Sequence, residues 1–179
     1  MVEPIMTTTA APFDIQQLLH AMASEITESL ADKAPLIIGI HSGGVWVAKA
    51  LLDYLDDNFS PAALGTLNIA YYRDDFTRIG MHPQVKPSDL PFNVDDRHIL
   101  LVDDVLHSGR TARAALNEIF DYGRPASVSL AVLIERNGHE LPIQADIIGQ
   151  SVTLSADQHI KLTNDDGLEL EITTKGGTE

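Results

Sequence analysis

The stretch HILLVDDVLHSGRTARAAL, His98–Leu116, decides how the chain is read. An apolar run leads into two adjacent carboxylates, Asp103 and Asp104; a short turn follows, and then an alanine-rich segment with helical spacing. A continuous apolar run bounded by turn residues reads as a buried strand of a parallel sheet. In such a sheet ligands gather beyond the carboxyl ends of the strands, which is where the two aspartates stand. Side chains alternate along a strand, so neighbouring carboxylates point to opposite sides unless the strand has begun to curl. One is then placed to face a sugar diol or a hydrated Mg2+ ion, and the other to tether the loop.

The turn after the acid pair carries its own chemistry. Ser108 or Gly109 caps the next helix, Gly109 lets the backbone approach closely, and the N–H groups of Gly109, Arg110 and Thr111 open that helix with its positive end outward. That is a cradle for one phosphate monoester. The hydroxyls of Ser108 and Thr111 add donors, and Arg110 or Arg113 supplies charge if its side chain turns inward.

Working outward, apolar residues at Ile15, Leu18, Leu19, Met22, Ile26 and Leu30 form the stripe of an amphipathic helix. Leu36–Ile40 reads as a second buried strand, HSGG as a tight loop, Val45–Leu55 as a helix, and LGTLNIAYYRDD as a strand ending near Tyr72. Between Asp74 and Arg97 lie three prolines, Pro83, Pro87 and Pro91, and the segment reads as a long loop or mobile hairpin. A connection of that length in a compact domain suggests a lid or binding loop. A helix over Thr111–Tyr122, ended by a left-handed Gly123, and a strand at SVSLAVLIE come next. ADIIG, HIKLT and LELEITT complete the chain as strands. The order predicts an α/β fold: a mostly parallel central sheet flanked by helices, with antiparallel additions near the end.

With 179 residues the chain suits one domain, read here as 13–179 after a loose Thr/Ala/Pro-rich segment 1–12. Acids outnumber bases 26 to 12, for a net charge of −14, so the averaged field repels nucleic acid and anionic bilayers. Cysteine is absent, which removes disulfides, thiolate nucleophiles and cysteine-ligated metals. No apolar run approaches the roughly 20 residues of a membrane span, and the amino terminus lacks a signal pattern, so a cytoplasmic location is expected. The seven histidines, among them His20, His82, His98 and His159, include no i, i+4 pair on a helix and predict no structural metal site. Trp46 is expected to pack against the sheet or a subunit, with Tyr54 near the rim.

Residues Ile99–Thr111 resemble the phosphoribosyl-pyrophosphate signature of type I phosphoribosyltransferases. YRDDFT at Tyr72–Thr77, the run Val102–Arg136 and ELPIQADIIG at Glu140–Gly149 are similar, more closely still, to the PyrR family of pyrimidine regulators that also act as uracil phosphoribosyltransferases. The resemblance covers nearly the whole chain from Phe13. It implies the type I phosphoribosyltransferase fold, with a lid loop and a small β-rich hood. Asp103 and Asp104 would hold the ribose hydroxyls and Mg2+; His107, Ser108, Gly109, Arg110 and Thr111 would hold the 5′-phosphate. The turn Gly39–Gly44, including His41, Ser42, Gly43 and Gly44, would contact pyrophosphate. Tyr72, Arg73 and Asp74 would stand at the root of the lid, and uracil would sit near Glu135 and Arg136.

The implied reaction is transfer of the phosphoribosyl group to uracil, giving UMP and pyrophosphate, with Asp103, Asp104, Arg73 and Arg136 as the catalytic cast. It needs Mg2+ and cationic groups for the departing charge, a dry site, and no protein nucleophile. A homodimer or higher homo-oligomer is expected, with the first helix and FDYGRP at Phe120–Pro125 as a place for the interface. The chain departs from the family at two places. GIHSGG, Gly39–Gly44, stands where GIKTRG is common, putting His41 and Gly43 at the positions of a lysine and an arginine. The RNA-contacting surface of the family corresponds to His20, Ser24, His139, Gln144 and Gln150, where three cations have been lost. Each lost phosphate contact removes a released counterion, so attenuator-RNA binding through that surface is expected to be weak.

The rival reading is a catalytically weak sensor of UMP and phosphoribosyl pyrophosphate that regulates through RNA or a protein partner. An unrelated phosphoacceptor domain with an acid pair at a strand end is a third class. SGRT after the pair, and the lack of an acidic cluster on an early strand, weigh against it.

Overall fold

The computed structural model describes residues 7–10, 13–59, 64–69 and 87–176. Strands β2 (Leu36–Ile40), β3 (Leu64–Leu67), β4 (His98–Leu106), β5 (Ser127–Arg136) and β6 (Ile147–Val152) form one five-stranded sheet in the order β3-β2-β4-β5-β6. All four pairings are parallel. Every residue of β2 is buried, as a parallel strand covered on both faces requires.

Helices α1 (Ile15–Leu30) and α2 (Gly43–Leu52) cover one face, and α3 (Arg110–Tyr122) covers the other. The α1 stripe Leu19, Met22, Ile26 and Leu30 meets Val47 and Leu51 of α2 and Leu100, Val102 and Leu133 of the sheet. On the opposite side Ala112, Ala115 and Ile119 of α3 pack on Ile38, Leu101 and Val132. Asp14 caps α1, its carboxylate accepting from Gln17 N–H at 3.1 Å.

From β2 the chain crosses through α2 to β3 on one side; from β4 it crosses through α3 to β5 on the other. The strand order therefore reverses between β2 and β4, and the crevice at their carboxyl ends is the switch point where such sheets bind ligands. Gly39 pairs with Val102, so the turn after Ile40 arrives beside Asp103 and Asp104.

Several expectations are corrected. Thr7–Ala10, read as loose, is strand β1, paired antiparallel with β8 (Glu169–Thr174), which also pairs β7 (Gln158–Thr163). These antiparallel strands make a separate three-stranded sheet, the hood, and ADIIG contributes β6 to the parallel sheet instead. Helix α2 runs from Gly43, two residues before the predicted start, because its glycines dock on β4, and it ends at Leu52, three residues short of the predicted Leu55. Gly123 is extended, with φ 164°, and a Cβ there would crowd Asp95 Oδ1 and lie 2.9 Å from Val94 Cγ2.

Strand β3 ends at Leu67, earlier than predicted, and residues 70–86 lie outside the described residues. At the return of that connection Asp89 exchanges both main-chain hydrogen bonds with Thr66, at 2.8 Å each. Asn68 N–H donates to Ser88 Oγ at 2.8 Å, and the Ser88 hydroxyl donates to Glu118 of α3. Among the described residues no helix is long and apolar enough to cross a membrane.

Candidate active site

At the end of β4 the two aspartates differ in burial, as alternation along a strand leads one to expect. Asp103 is 7 % exposed, and its Oδ1 accepts the backbone N–H of Asp104 at 2.9 Å. Burial first, and then the adjacent Asp104 charge, push the Asp103 carboxyl well above its usual range. Asp103 is thus the tether that holds the curl of the strand. Asp104 is half-buried at the crevice and is the more exposed of the two.

Gly109 caps α3 in the left-handed region, φ 93°, which turns the chain sharply enough to aim the first amides of the helix at the crevice. Arg110 N–H donates to Ser108 Oγ at 3.2 Å, so the serine hydroxyl occupies the direction a ligand oxygen would use. The turn is held from behind: Glu140 and Leu141 N–H both donate to the Ser108 carbonyl, at 2.9 and 3.1 Å, and a Cβ on Gly109 would lie 3.1 Å from Ile143 Cβ. Arg110 does not turn inward. Its Nε pairs with Glu140 Oε2 at 2.8 Å across an exposed surface, and Arg113 is exposed. His107 is held below its ordinary pKa, first by desolvation and next by the Arg136 guanidinium, which favours a neutral ring. Charge at the cradle therefore comes chiefly from backbone amides and the α3 dipole.

Across the crevice, His41 N–H donates to the Leu67 carbonyl at 2.8 Å, and the His41–Ser42 peptide is cis. Ser42 precedes α2 without a side-chain capping hydrogen bond. Gly43 and Gly44 begin that helix flush against β4. Tyr72, Arg73 and Asp74 lie outside the described residues.

A cleft of about 460 Å³ opens at the end of β5, lined by Glu135, Arg136, Asn137, His139, Ser151 and Thr153 among others. Glu135 accepts from the Ser151 hydroxyl at 3.1 Å and lies 3.5 Å from His139 Nε2. Arg136, expected among the catalytic groups, is 7 % exposed and spends its guanidinium on main-chain carbonyls of Gln158 (3.0 Å) and Asn137 (3.4 Å). Asn137 in turn exchanges side-chain bonds with Leu154 N–H and C=O at 2.8 and 3.0 Å. These bonds fasten the hood to the sheet, a function that nothing in the sequence spacing signals.

Asp103, Asp104, the 107–111 turn and Gly43–Gly44 thus converge at one crevice, with the Glu135 cleft at the end of the neighbouring strand. A switch-point crevice holding an acid pair and a left-handed glycine turn into a helix places the chain in the phosphoribosyltransferase class. The family model for the phosphoribosyl transferase domain matches residues 13–163. Two curated relatives carry the name bifunctional protein PyrR. That of Nitrosococcus oceani is 60 % identical over 162 residues, 89 % of this chain and 91 % of its own. That of Pseudomonas aeruginosa PAO1 is 54 % identical over 158 residues, 87 % and 91 % of the two chains. The chain belongs to the phosphoribosyl transferase domain family and, within it, to the PyrR family.

Solved structures share the fold at low identity. A hypoxanthine-guanine-xanthine phosphoribosyltransferase superposes with a TM-score of 0.64 at 23 % identity, covering 93 % of this chain and 90 % of its own. A hypoxanthine-guanine phosphoribosyltransferase from Bacillus anthracis gives 0.64 at 16 %, covering 84 % and 86 %.

Proposed function

We propose that the crevice binds phosphoribosyl pyrophosphate and UMP, and that the chain acts as a nucleotide-sensing regulator whose site also supports phosphoribosyl transfer to uracil. The observation that carries this reading is the continuity of Asp104, the strand end and the Gly109 turn. Within a few residues it offers a carboxylate for a diol and aligned amides for a phosphate. PyrR membership supports the regulatory half, and the relatives' printed name, bifunctional, accords with two roles.

Among the described residues no group of three or more His, Asp or Glu side chains is arranged to hold a metal. Two hard carboxylates at a strand end nevertheless fit Mg2+, which binds through one or two carboxylates and keeps waters and substrate phosphates as its other ligands. Asp104, with Asp103 behind it, would hold the ion as it arrives with the substrate. When bound, Mg2+ supplies charge neutralisation for the departing pyrophosphate.

The chain's own residues do the rest. The amides of Gly109–Thr111 grip the 5′-phosphate, Asp104 accepts from the ribose hydroxyls, and the fixed geometry holds the anomeric carbon for attack by a uracil nitrogen. The Glu135 cleft is large enough for a pyrimidine, and its carboxylate can accept a base N–H. The neutral exposed side chains at Ser24, Gln144 and Gln150, with His139 beside Glu135, offer little to an RNA backbone.

The test supplies uracil, phosphoribosyl pyrophosphate and Mg2+, follows UMP and pyrophosphate together, and measures UMP binding in parallel. Turnover supports both halves of the reading, and nucleotide binding without turnover leaves the sensor alone. Absence of both overturns it.

A further inference from the structure

Helix α2 begins with two glycines, and different neighbours demand each of them. A Cβ on Gly44 would run into the Val102 carbonyl oxygen and lie 3.0 Å from Asp103 Cα, so main-chain packing excludes any side chain there. Gly43 is different. The three atoms nearest to a Cβ at that position all belong to the Asp104 side chain: Oδ2, Cγ, and Cβ at 2.9 Å. Neither glycine is among the residues with positive φ, so conformational freedom is not the reason for them. What the missing side chain at Gly43 provides is room for a carboxylate.

That carboxylate lies over the first residue of a ten-residue helix whose preceding Ser42 makes no side-chain capping bond. Negative charge is favoured there by the positive end of the helix. Both sides of the contact belong to the proposed site: Asp104 faces the sugar, and the turn before α2 faces the leaving group. Because Asp104 Cβ itself stands within contact range of the imagined methyl, rotating the carboxylate away does not relieve all of the overlap.

We infer that Gly43 is a positioning residue: it sets the orientation of Asp104 and so ties the ribose-facing carboxylate to the leaving-group turn. The inference rests on the phosphoribosyl-pyrophosphate reading given above.

The experiment is a double-mutant cycle on the full chain with Gly43→Ala, Asp104→Gly and the pair, read both as affinity for phosphoribosyl pyrophosphate with Mg2+ by calorimetry and as melting temperature. Gly43→Ala is expected to weaken binding about tenfold in the wild-type background and by less than about twofold once Asp104 is glycine, since the whole side chain it displaces is gone. The melting temperatures should show the same non-additivity. If Gly43→Ala does not fold alone, the pair should recover folding. Gly44→Ala, which strikes main chain, should lose stability equally in either background.

Unchanged affinity in Gly43→Ala, additive losses in the cycle, or no recovery in the pair overturns the inference and leaves the functional reading standing. A folded wild-type chain that takes up no phosphoribosyl pyrophosphate overturns both.

Discussion

Asp104 donates its backbone N–H to the side chain of Asp103 at 2.9 Å, so one member of the acid pair is spent on holding the other in place. Asp103 is buried, its carboxyl pushed upward first by burial and then by the Asp104 charge, and its Oδ1 is engaged by main chain. The pair should therefore respond unequally to the same substitution. Asp104→Asn is expected to raise KM for phosphoribosyl pyrophosphate and to lower kcat/KM by about 100-fold, the scale of losing one electrostatic contact to the reacting group. Asp103→Asn, which keeps an oxygen to accept the Asp104 N–H, should cost several-fold less. Steady-state kinetics of the two variants side by side check the asymmetry, and equal losses would contradict the division of roles.

Gly109 sits at φ 93° as the cap of α3, and an added methyl would also press on Ile143 Cβ at 3.1 Å. Gly109→Ala should cost about 1–2 kcal/mol for the left-handed backbone. In a chain of this size that lowers the melting temperature by roughly 2–8 °C. Because the same turn aims the amides, UMP affinity should fall along with stability. Calorimetric melts and UMP titrations measure the two effects.

Arg110 is held away from the cradle by Glu140 at 2.8 Å, in an exposed pair of the kind that contributes about 0–1 kcal/mol to stability. Glu140→Gln should leave the melting temperature nearly unchanged and release the guanidinium. UMP should then bind about two- to fivefold more tightly at low salt, with the gain fading as ionic strength rises. A titration at two salt concentrations is sufficient.

Glu118 is 6 % exposed, accepts from the Ser88 hydroxyl, and has its pKa raised, chiefly by burial. Its Oε2 has no hydrogen-bond partner among the described residues. A carboxyl with a folded pKa above the unfolded one binds more protons in the native state. Its contribution is present below the unfolded pKa and is lost as pH rises through the folded one. Glu118→Gln, an amide analogue of the protonated acid, should match the wild type near pH 4 and become the more stable of the two as pH rises toward 7. Melts across that range test the sign.

The buried strands and the turn into α3 were legible because each carries its cause in local sequence: unbroken apolar runs for β2, β4 and β5, and Ser108–Gly109 before an alanine-rich helix for the turn. The start of α2 was not. Gly43 and Gly44 have poor helix propensity, and only their docking on β4 makes them helical, a tertiary effect that overrides local preference. Strand β1 was hidden for a related reason, since a Thr/Ala segment gains its pairing only from β8 more than 150 residues away. In the site, residue types were readable and the orientation of their side chains was not. Arg136 looked available and is committed to Gln158 and Asn137, and Arg110 turned to Glu140. Glu118 carried no signal at all, being one of two carboxylates on its helix, and is distinguished only by what Ser88 brings to it.

A crystal structure of the chain with UMP tests the central claim most directly. The account predicts the 5′-phosphate in the turn after β4, its oxygens about 2.7–3.2 Å from the N–H groups of Gly109, Arg110 and Thr111, with the ribose hydroxyls toward Asp104. A nucleotide bound with its phosphate elsewhere, and those amides left to Ser108 and solvent, would contradict it.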